Sequence, residues 1–188
     1  MTRPINTKKS LYVLVEGKTE RSYLQEFAKR NPKVKVIVLA ESSSRIKLLE
    51  KALVFSNDNK LNTWIVFDRD DRIEEAKEVY NRVENFNKKG KAKINIAYLS
   101  PCFEVWALIH FRSNNIPNSP REVQKALAGY IKYDHSKSPI IEVQKLEDGY
   151  SKAVQIAKNW EISLAGSPEY TASLFAGIFR LTEFIRNL

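Results

Sequence analysis

The sequence has 188 residues, a length that suits one globular domain or one domain with a modest appendage. Its formal net charge of +9 favours a polyanionic partner, although many basic proteins have no nucleic-acid role. Because Cys102 is the only cysteine, a disulfide within the chain and a cysteine-based zinc site are excluded. No stretch approaches the ~18 apolar residues of a membrane span, and the polar, basic start does not resemble a signal peptide, so we expect a cytoplasmic protein.

Strand and helix patterns alternate through the first hundred residues. Short apolar runs rich in β-branched residues predict four strands, at 11–15, 33–39, 63–67 and 94–99. Apolar residues at helical spacing predict three helices between the strands, at 23–30, 44–54 and 73–86, the second of which starts within the serine run 42–44. A loop is predicted at 57–59. Since the connections are short, this alternation indicates an α/β fold with a mainly parallel four-stranded sheet flanked by helices.

The pattern becomes mainly helical after residue 100. Pro101 suits the first turn of a helix capped by Ser100, and that helix would run to about residue 111. A loop with two prolines follows at 112–120, and further helices are predicted at 121–131, 148–159 and 171–187. We therefore divide the chain into an α/β core at 1–100 and a helical extension at 101–188 packed on it as one globular unit.

Acidic side chains directly follow two of the predicted strands. Glu16 comes after the first strand, and Asp68, Asp70 and Asp71 come after the third. Ligands of parallel α/β sheets bind beyond the carboxyl ends of the strands, so neighbouring strands would bring these carboxylates into one crevice. Converging carboxylates favour a cation between them, and Mg²⁺ or Mn²⁺ would need only two or three because it keeps several waters. Alternatively, Asp70 or Asp71 caps the following helix.

The turn after the first strand offers a place for a phosphate group. Gly17 permits a sharp turn beside a ligand, and Lys18 would face a phosphate at the start of the next helix. A solvated helix start is the alternative for Lys18, and the glycines of a Walker A loop are missing. Glu20 lies one helical turn past Glu16, where it would join the acidic group or stabilise the helix N-terminus.

Two segments, LVEGKTE at 14–20 and VFDRDD at 66–71, resemble the Toprim pattern of one glutamate after the first strand and an Asp-x-Asp after a later one. Together with a third segment, SPCFEVWALIHF at 100–111, they look like the RloB family. Toprim domains occur in topoisomerases, primases and certain nucleases, and RloB proteins are often found in restriction-modification and phage-defence loci. The resemblance implies a Toprim fold and a metal-dependent nuclease. Ser100 departs mildly from the asparagine that is common at the start of the third motif.

Two polar residues stand out in the third motif. Glu104 is an acid in an otherwise apolar helix, where it would be a further metal ligand, a proton-transfer group, or one partner of a salt bridge. His110 would bind a phosphate of nucleic acid or transfer protons near neutral pH. The alternative for His110 is a satisfied histidine at the end of the helix.

A basic and aromatic segment follows the third motif. Its members are Lys132, Tyr133, His135 and Lys137, most of which resemble the Tyr/Lys-rich stretch of the RloB family. This mixture suits phosphate contacts with some base stacking, and we expect Lys132, Tyr133 and Lys137 to contact nucleic acid. A solvated basic loop is the alternative.

Together with the family resemblance, these residues predict a metal-dependent nuclease that acts on DNA or RNA. A phage-defence or restriction-associated setting is what the resemblance alone implies. The expected ligands of Mg²⁺ or Mn²⁺ are Glu16, Asp68, Asp70 and Asp71. Glu104 would assist catalysis and Lys18 would steady the phosphate. The alternative is a non-catalytic module that binds nucleic acid or a partner, such as an ATPase or a restriction-system component. A phosphoryl-transfer receiver is less consistent, because the acidic pair follows the third strand and not the first.

Overall fold

Five strands form one sheet in this computed structural model, which describes residues 9–30, 34–40, 44–59, 63–69, 72–90, 92–136 and 140–187. The strands are β1 (Lys9–Val15), β2 (Val34–Ala40), β3 (Thr63–Asp68), β4 (Ile94–Ser100) and β5 (Phe175–Ala176). Their order in the sheet is β2-β1-β3-β4-β5. The first four run parallel, and β5 pairs with β4 in the antiparallel direction. The predicted α/β class with its mainly parallel sheet is confirmed, whereas the Toprim resemblance stays a prediction.

Seven α-helices accompany the sheet in the described part of the chain. They are α1 (Lys18–Lys29), α2 (Arg45–Asn59), α3 (Ile73–Lys88), α4 (Glu104–Leu108), α5 (Pro120–Leu127), α6 (Tyr150–Ser163) and α7 (Ile178–Arg186). Two 3₁₀ helices lie at Val143–Gly149 and Glu169–Thr171. Among the described residues, no helix is both long and apolar enough to cross a membrane.

The sheet is buried on both faces because successive side chains of a strand point in opposite directions. In β3, for example, Val66 belongs to the cluster that includes α1 and the C-terminal helices. Its neighbours Ile65 and Phe67 belong to the cluster that includes α2 and α3. This burial on both faces explains why the parallel strands read as continuous apolar runs.

The short strand β5 was not expected, since its residues lie inside the helix predicted at 171–187. Phe175 and Ala176 instead pair with Ser100 and Leu99 at the end of β4. Gly177 makes this close approach possible, because a Cβ there would lie 2.8 Å from the carbonyl oxygen of Tyr98. The helix prediction is therefore wrong for these residues, and α7 begins only at Ile178. The division of the chain at residue 100 stays a prediction.

The helix predicted from Pro101 to about residue 111 is also shorter, since α4 covers only Glu104–Leu108. Ser100 does not cap it, because Ser100 is the last residue of β4. Its hydroxyl lies 2.9 and 2.8 Å from the carbonyl oxygens of Ala172 and Ser173, so it ties β4 to the segment before β5.

The predicted loop at 57–59 forms the last turn of α2 instead. The reason is tertiary packing, because α2 packs against β3 and Ser56, next to this polar stretch, is fully buried. The helix predicted at 121–131 ends earlier, at Leu127.

Candidate functional site

A pocket of about 370 Å³ opens at the carboxyl edge of the sheet, and we call it the acidic pocket. The polar side chains that line it and matter for its chemistry are Glu16, Lys18, Glu20, Asp68, Glu104 and His135. Strands β1 and β3 are direct neighbours, and the backbone N–H of Glu16 donates to the carbonyl of Val66 at 3.2 Å. Glu16 and Asp68 therefore leave adjacent strands at the same edge, which is the arrangement predicted from the strand ends.

Two arginines hold the carboxylate of Glu16. Arg72 Nη2 lies 2.9 Å from Oε1, and Arg45 Nε lies 3.4 Å from Oε2. The side chain of Arg45 is fully buried, donates to the carbonyl of Arg72 at 3.2 Å and lies 5.4 Å from the ring centre of Phe67. The arginines thus supply positive charge beside Glu16. No local sequence signal indicates them, since they lie 29 and 56 residues from Glu16 along the chain.

Glu20 belongs to the wall of the acidic pocket. It lies in the first turn of α1 and only 4% of it is exposed. A Cβ at position 17 would lie 2.5 Å from Oε2 of Glu20, so Gly17 leaves the room that this carboxylate occupies. The position of Glu20 is compatible with both roles expected from the sequence, since it lines the acidic pocket and also lies in the first turn of α1.

Glu104 lies almost entirely inside the protein, with 2% of its side chain exposed. Its carboxylate accepts a hydrogen bond from the hydroxyl of Tyr133, and Nδ1 of His135 lies 2.9 Å from the same oxygen. Burial and the charge of Glu104 raise the pKa of Tyr133, so its hydroxyl keeps the proton that it donates. The sequence placed His135 only in a basic loop, and its position in the pocket depends on a partner 31 residues away.

A buried contact joins the two helices that carry the pocket wall. Trp106 in α4 donates from Nε1 to the hydroxyl of Tyr23 in α1 at 2.9 Å. The ring of Tyr23 also meets that of Phe103 edge-on, with 5.4 Å between the centroids. Burial raises the pKa of Tyr23, so its hydroxyl stays protonated at neutral pH. The contact fixes the distance between the helices that bear Glu20 and Glu104.

The residues expected to contact nucleic acid are found in different surroundings. His110 is 5% exposed, and its Nδ1 lies 2.8 Å from the carbonyl oxygen of Trp106. Its Nε2 is buried without a hydrogen-bond partner among the described residues, so His110 is a core residue, and the phosphate contact expected of it stays a prediction. Tyr133 is 7% exposed and its hydroxyl donates to Glu104, so the structure gives it a role inside the pocket wall, and the expected contact with nucleic acid stays a prediction. Lys132 is exposed and remains open to a phosphate. Lys137 lies outside the described residues.

The burial of His110 predicts a loss of stability in acid. Burial lowers its pKa from 6.5 to about 4, so between these values the unfolded chain binds a proton that the folded protein does not. Its contribution is complete above pH 6.5 and is lost as the pH falls towards 4. The shift corresponds to about 3 kcal/mol. Urea unfolding of the native protein and of His110→Gln at pH 7.5, 5.5 and 4.5 measures this contribution.

We expect the free energy of unfolding of the native protein to fall more steeply than that of His110→Gln over this range. The comparison is needed because carboxylates titrate in the same range in both proteins. Parallel curves for the two proteins would contradict the prediction.

A divalent ion in the acidic pocket would need oxygen ligands from its side chains. Within the described residues, no group of three His, Cys, Asp or Glu side chains is placed to hold a metal ion. Mg²⁺, however, is often held by one or two carboxylates and several waters, and Glu16 and Asp68 offer such a pair in one pocket. The residues therefore fit a hydrated Mg²⁺ or Mn²⁺ ion. Asp70 and Asp71, the other expected ligands, lie outside the described residues.

The fold and the pocket define a mainly parallel α/β protein with carboxylates at the carboxyl edge of its sheet. The family model of the RloB-like proteins matches residues 11–185, so the chain belongs to this family. The match confirms the RloB resemblance that the three sequence motifs indicated. No curated protein and no solved structure matches the chain significantly.

Proposed function

We propose that this protein is a nuclease that uses Mg²⁺ or Mn²⁺ to hydrolyse phosphodiester bonds in nucleic acid. The observation that carries the proposal is the convergence of Glu16 and Asp68 from neighbouring strands into one pocket with Lys18 at its rim. The net charge of +9 is consistent with a polyanionic substrate. A phage-defence or restriction setting, with a partner ATPase or restriction component, belongs to the same proposal.

The chemistry follows from the side chains of the pocket. When bound, a divalent ion supplies an activated water and neutralises charge on the phosphoryl group. Glu16 and Asp68 are its protein ligands in this proposal. Lys18 is exposed at the start of α1, where its ammonium group can contact a non-bridging phosphate oxygen together with the backbone N–H groups of the helix.

The two arginines beside Glu16 differ in how much of their side chains is exposed to solvent. Arg72 has 47% of its side chain exposed, so its guanidinium can turn towards a phosphate. Arg45 is fully buried and stays next to Glu16. We therefore assign Arg72 to the substrate and Arg45 to the orientation of Glu16.

The proposal is tested by a cleavage screen of the native protein. Single-stranded DNA, double-stranded DNA and RNA are incubated with Mg²⁺, Mn²⁺ or Ca²⁺, and metal binding is measured in parallel by titration calorimetry. We expect cleavage of at least one substrate with Mg²⁺ or Mn²⁺, and none after chelation with EDTA. If nucleic acid is bound but no substrate is cut with any metal, the nuclease proposal is wrong.

One observation favours a second candidate function, a module that binds nucleic acid or a partner without catalysis. Glu16 is already neutralised by Arg72 and Arg45, which is the state expected of a structural carboxylate. For such a module, binding would weaken steeply with salt concentration, because each phosphate contact releases counterions. Salt-dependent binding without product in the same screen distinguishes it from a nuclease.

A further inference from the structure

The acidic pocket contains a hydrogen-bonded group that metal binding does not use. His135 lines the pocket with 56% of its side chain exposed, while its partner Glu104 is 2% exposed. Tyr133 donates a hydrogen bond to the same carboxylate oxygen, Oε1. Its hydroxyl oxygen also lies 3.2 Å from Nδ1 of His135. One side of the imidazole is therefore held by buried groups, and the other side is accessible.

The hydrogen bond to Glu104 determines which ring nitrogen of His135 can exchange a proton with a molecule in the pocket. In the proposed arrangement, Nδ1 of His135 is the donor to Oε1 of Glu104, because a carboxylate oxygen is the acceptor in such a pair. Nε2 is then the ring nitrogen that can exchange a proton with a molecule in the pocket. Burying a carboxylate is costly without donors, and Glu104 receives them from Tyr133 and His135. This arrangement fixes the orientation of the imidazole ring.

We propose that His135 is a catalytic residue that donates a proton from Nε2 to the leaving oxygen of the phosphodiester. Glu104 and Tyr133 are its positioning residues. The inference rests on the proposed nuclease function and extends it, because it assigns the step in which the leaving group is released.

The proposed step forms one bond to phosphorus and breaks another. The oxygen of the attacking water forms a bond to phosphorus, and the water releases one proton to the solvent. The bond from phosphorus to the leaving oxygen breaks, and its electron pair stays on that oxygen. The leaving oxygen takes the Nε2 proton of the imidazolium and departs as an alcohol. The ring is then a neutral imidazole whose remaining proton stays on Nδ1, hydrogen-bonded to Glu104.

The test compares two leaving groups in the native protein and in His135→Gln. One substrate is the oligonucleotide cleaved best in the screen, whose leaving alkoxide needs a proton. The other is bis(p-nitrophenyl) phosphate, whose phenolate leaves without one. We expect His135→Gln to cleave the oligonucleotide about 10²–10⁴-fold more slowly and bis(p-nitrophenyl) phosphate less than about 10-fold more slowly.

Variants of the positioning residues should show a smaller difference of the same kind between the two substrates. Glu104→Gln and Tyr133→Phe should also slow the oligonucleotide reaction more than the bis(p-nitrophenyl) phosphate reaction, because the imidazole loses its orientation but keeps its proton. Ser136→Ala is the matched control, since this exposed residue lies in the same segment and its hydroxyl bonds the side chain of Asp134. It should cleave both substrates at the native rate.

The outcomes separate this inference from the proposed function. Equal losses on both substrates in a folded His135→Gln protein would overturn the proton-donor role and leave the nuclease proposal standing. If the native protein cleaves neither substrate, the proposed function fails and the inference fails with it. Because His135 is largely exposed, its replacement is not expected to prevent folding.

Discussion

Asp68→Ala is expected to abolish metal-dependent cleavage and to remove the calorimetric signal of Mn²⁺ binding. Asp68 is the last residue of β3, and its strand is held by backbone pairing with β4, so a shorter side chain leaves the ladder intact. The pocket, however, loses one of the two carboxylates that leave adjacent strands. The rate should fall by about 10³-fold or more, since the charge that stabilises the reacting phosphate is lost.

Two further variants make this result specific. Asp68→Asn keeps the shape of the side chain and removes only its charge, so it should lose as much cleavage as Asp68→Ala. Glu74→Ala is the control acid, because the Glu74 side chain is 87% exposed at the start of α3 and forms a surface pair with Lys77 at 3.9 Å. Cleavage by Asp68→Asn at the native rate would show that the acidic pocket does not carry the reaction.

Trp106→Ala is expected to lower the free energy of unfolding by about 3–5 kcal/mol, the range for truncating a fully buried large aromatic side chain. Trp106 is the largest fully buried side chain among the described residues. Its indole ring meets His110 edge-on at 4.6 Å between centroids and Tyr150 at 6.1 Å. The replacement would leave a cavity and would also remove the hydrogen bond to the hydroxyl of Tyr23. Urea unfolding at pH 7.5 measures the loss.

Comparison with two tryptophan variants separates the causes of this loss. Trp106→Phe keeps most of the ring and should cost about 1–3 kcal/mol, mainly because the buried hydroxyl of Tyr23 loses its donor. Trp160→Ala should cost less than Trp106→Ala, since Trp160 is only partly buried where it packs against both hydrophobic clusters. Equal costs for Trp106→Ala and Trp160→Ala would contradict the role of Trp106 in joining α1 to α4.

The parallel strands could be predicted because their signals are local. The runs at 11–15 and 63–67 are continuous and apolar, and β1 and β3 form there with small extensions at their ends. Glu16 and Asp68 follow these runs directly, so their place at the edge of the sheet required only that the two strands be neighbours. The family followed from three short motifs, and the family model over residues 11–185 agrees.

Predictions failed where a segment is controlled by a distant part of the chain. The region around Phe175 has a helical pattern, but its pairing with Ser100 at the end of β4 makes it a strand. Ser100 likewise looked like a helix cap, yet its hydroxyl bonds carbonyl groups more than 70 residues away. Tertiary contacts override weak local preferences at such places.

The sequence by itself determined the parallel α/β core, the family and the position of the two carboxylates at the strand ends, because hydrophobic periodicity and strand ends are properties of neighbouring residues. Only the tertiary structure decided the partners of those carboxylates. Arg45 and Arg72 reach Glu16, and His135 reaches Glu104, across 29 to 56 residues of chain. A hydrogen bond depends on the distance and angle between two groups in space, and no periodic pattern in the sequence encodes that distance.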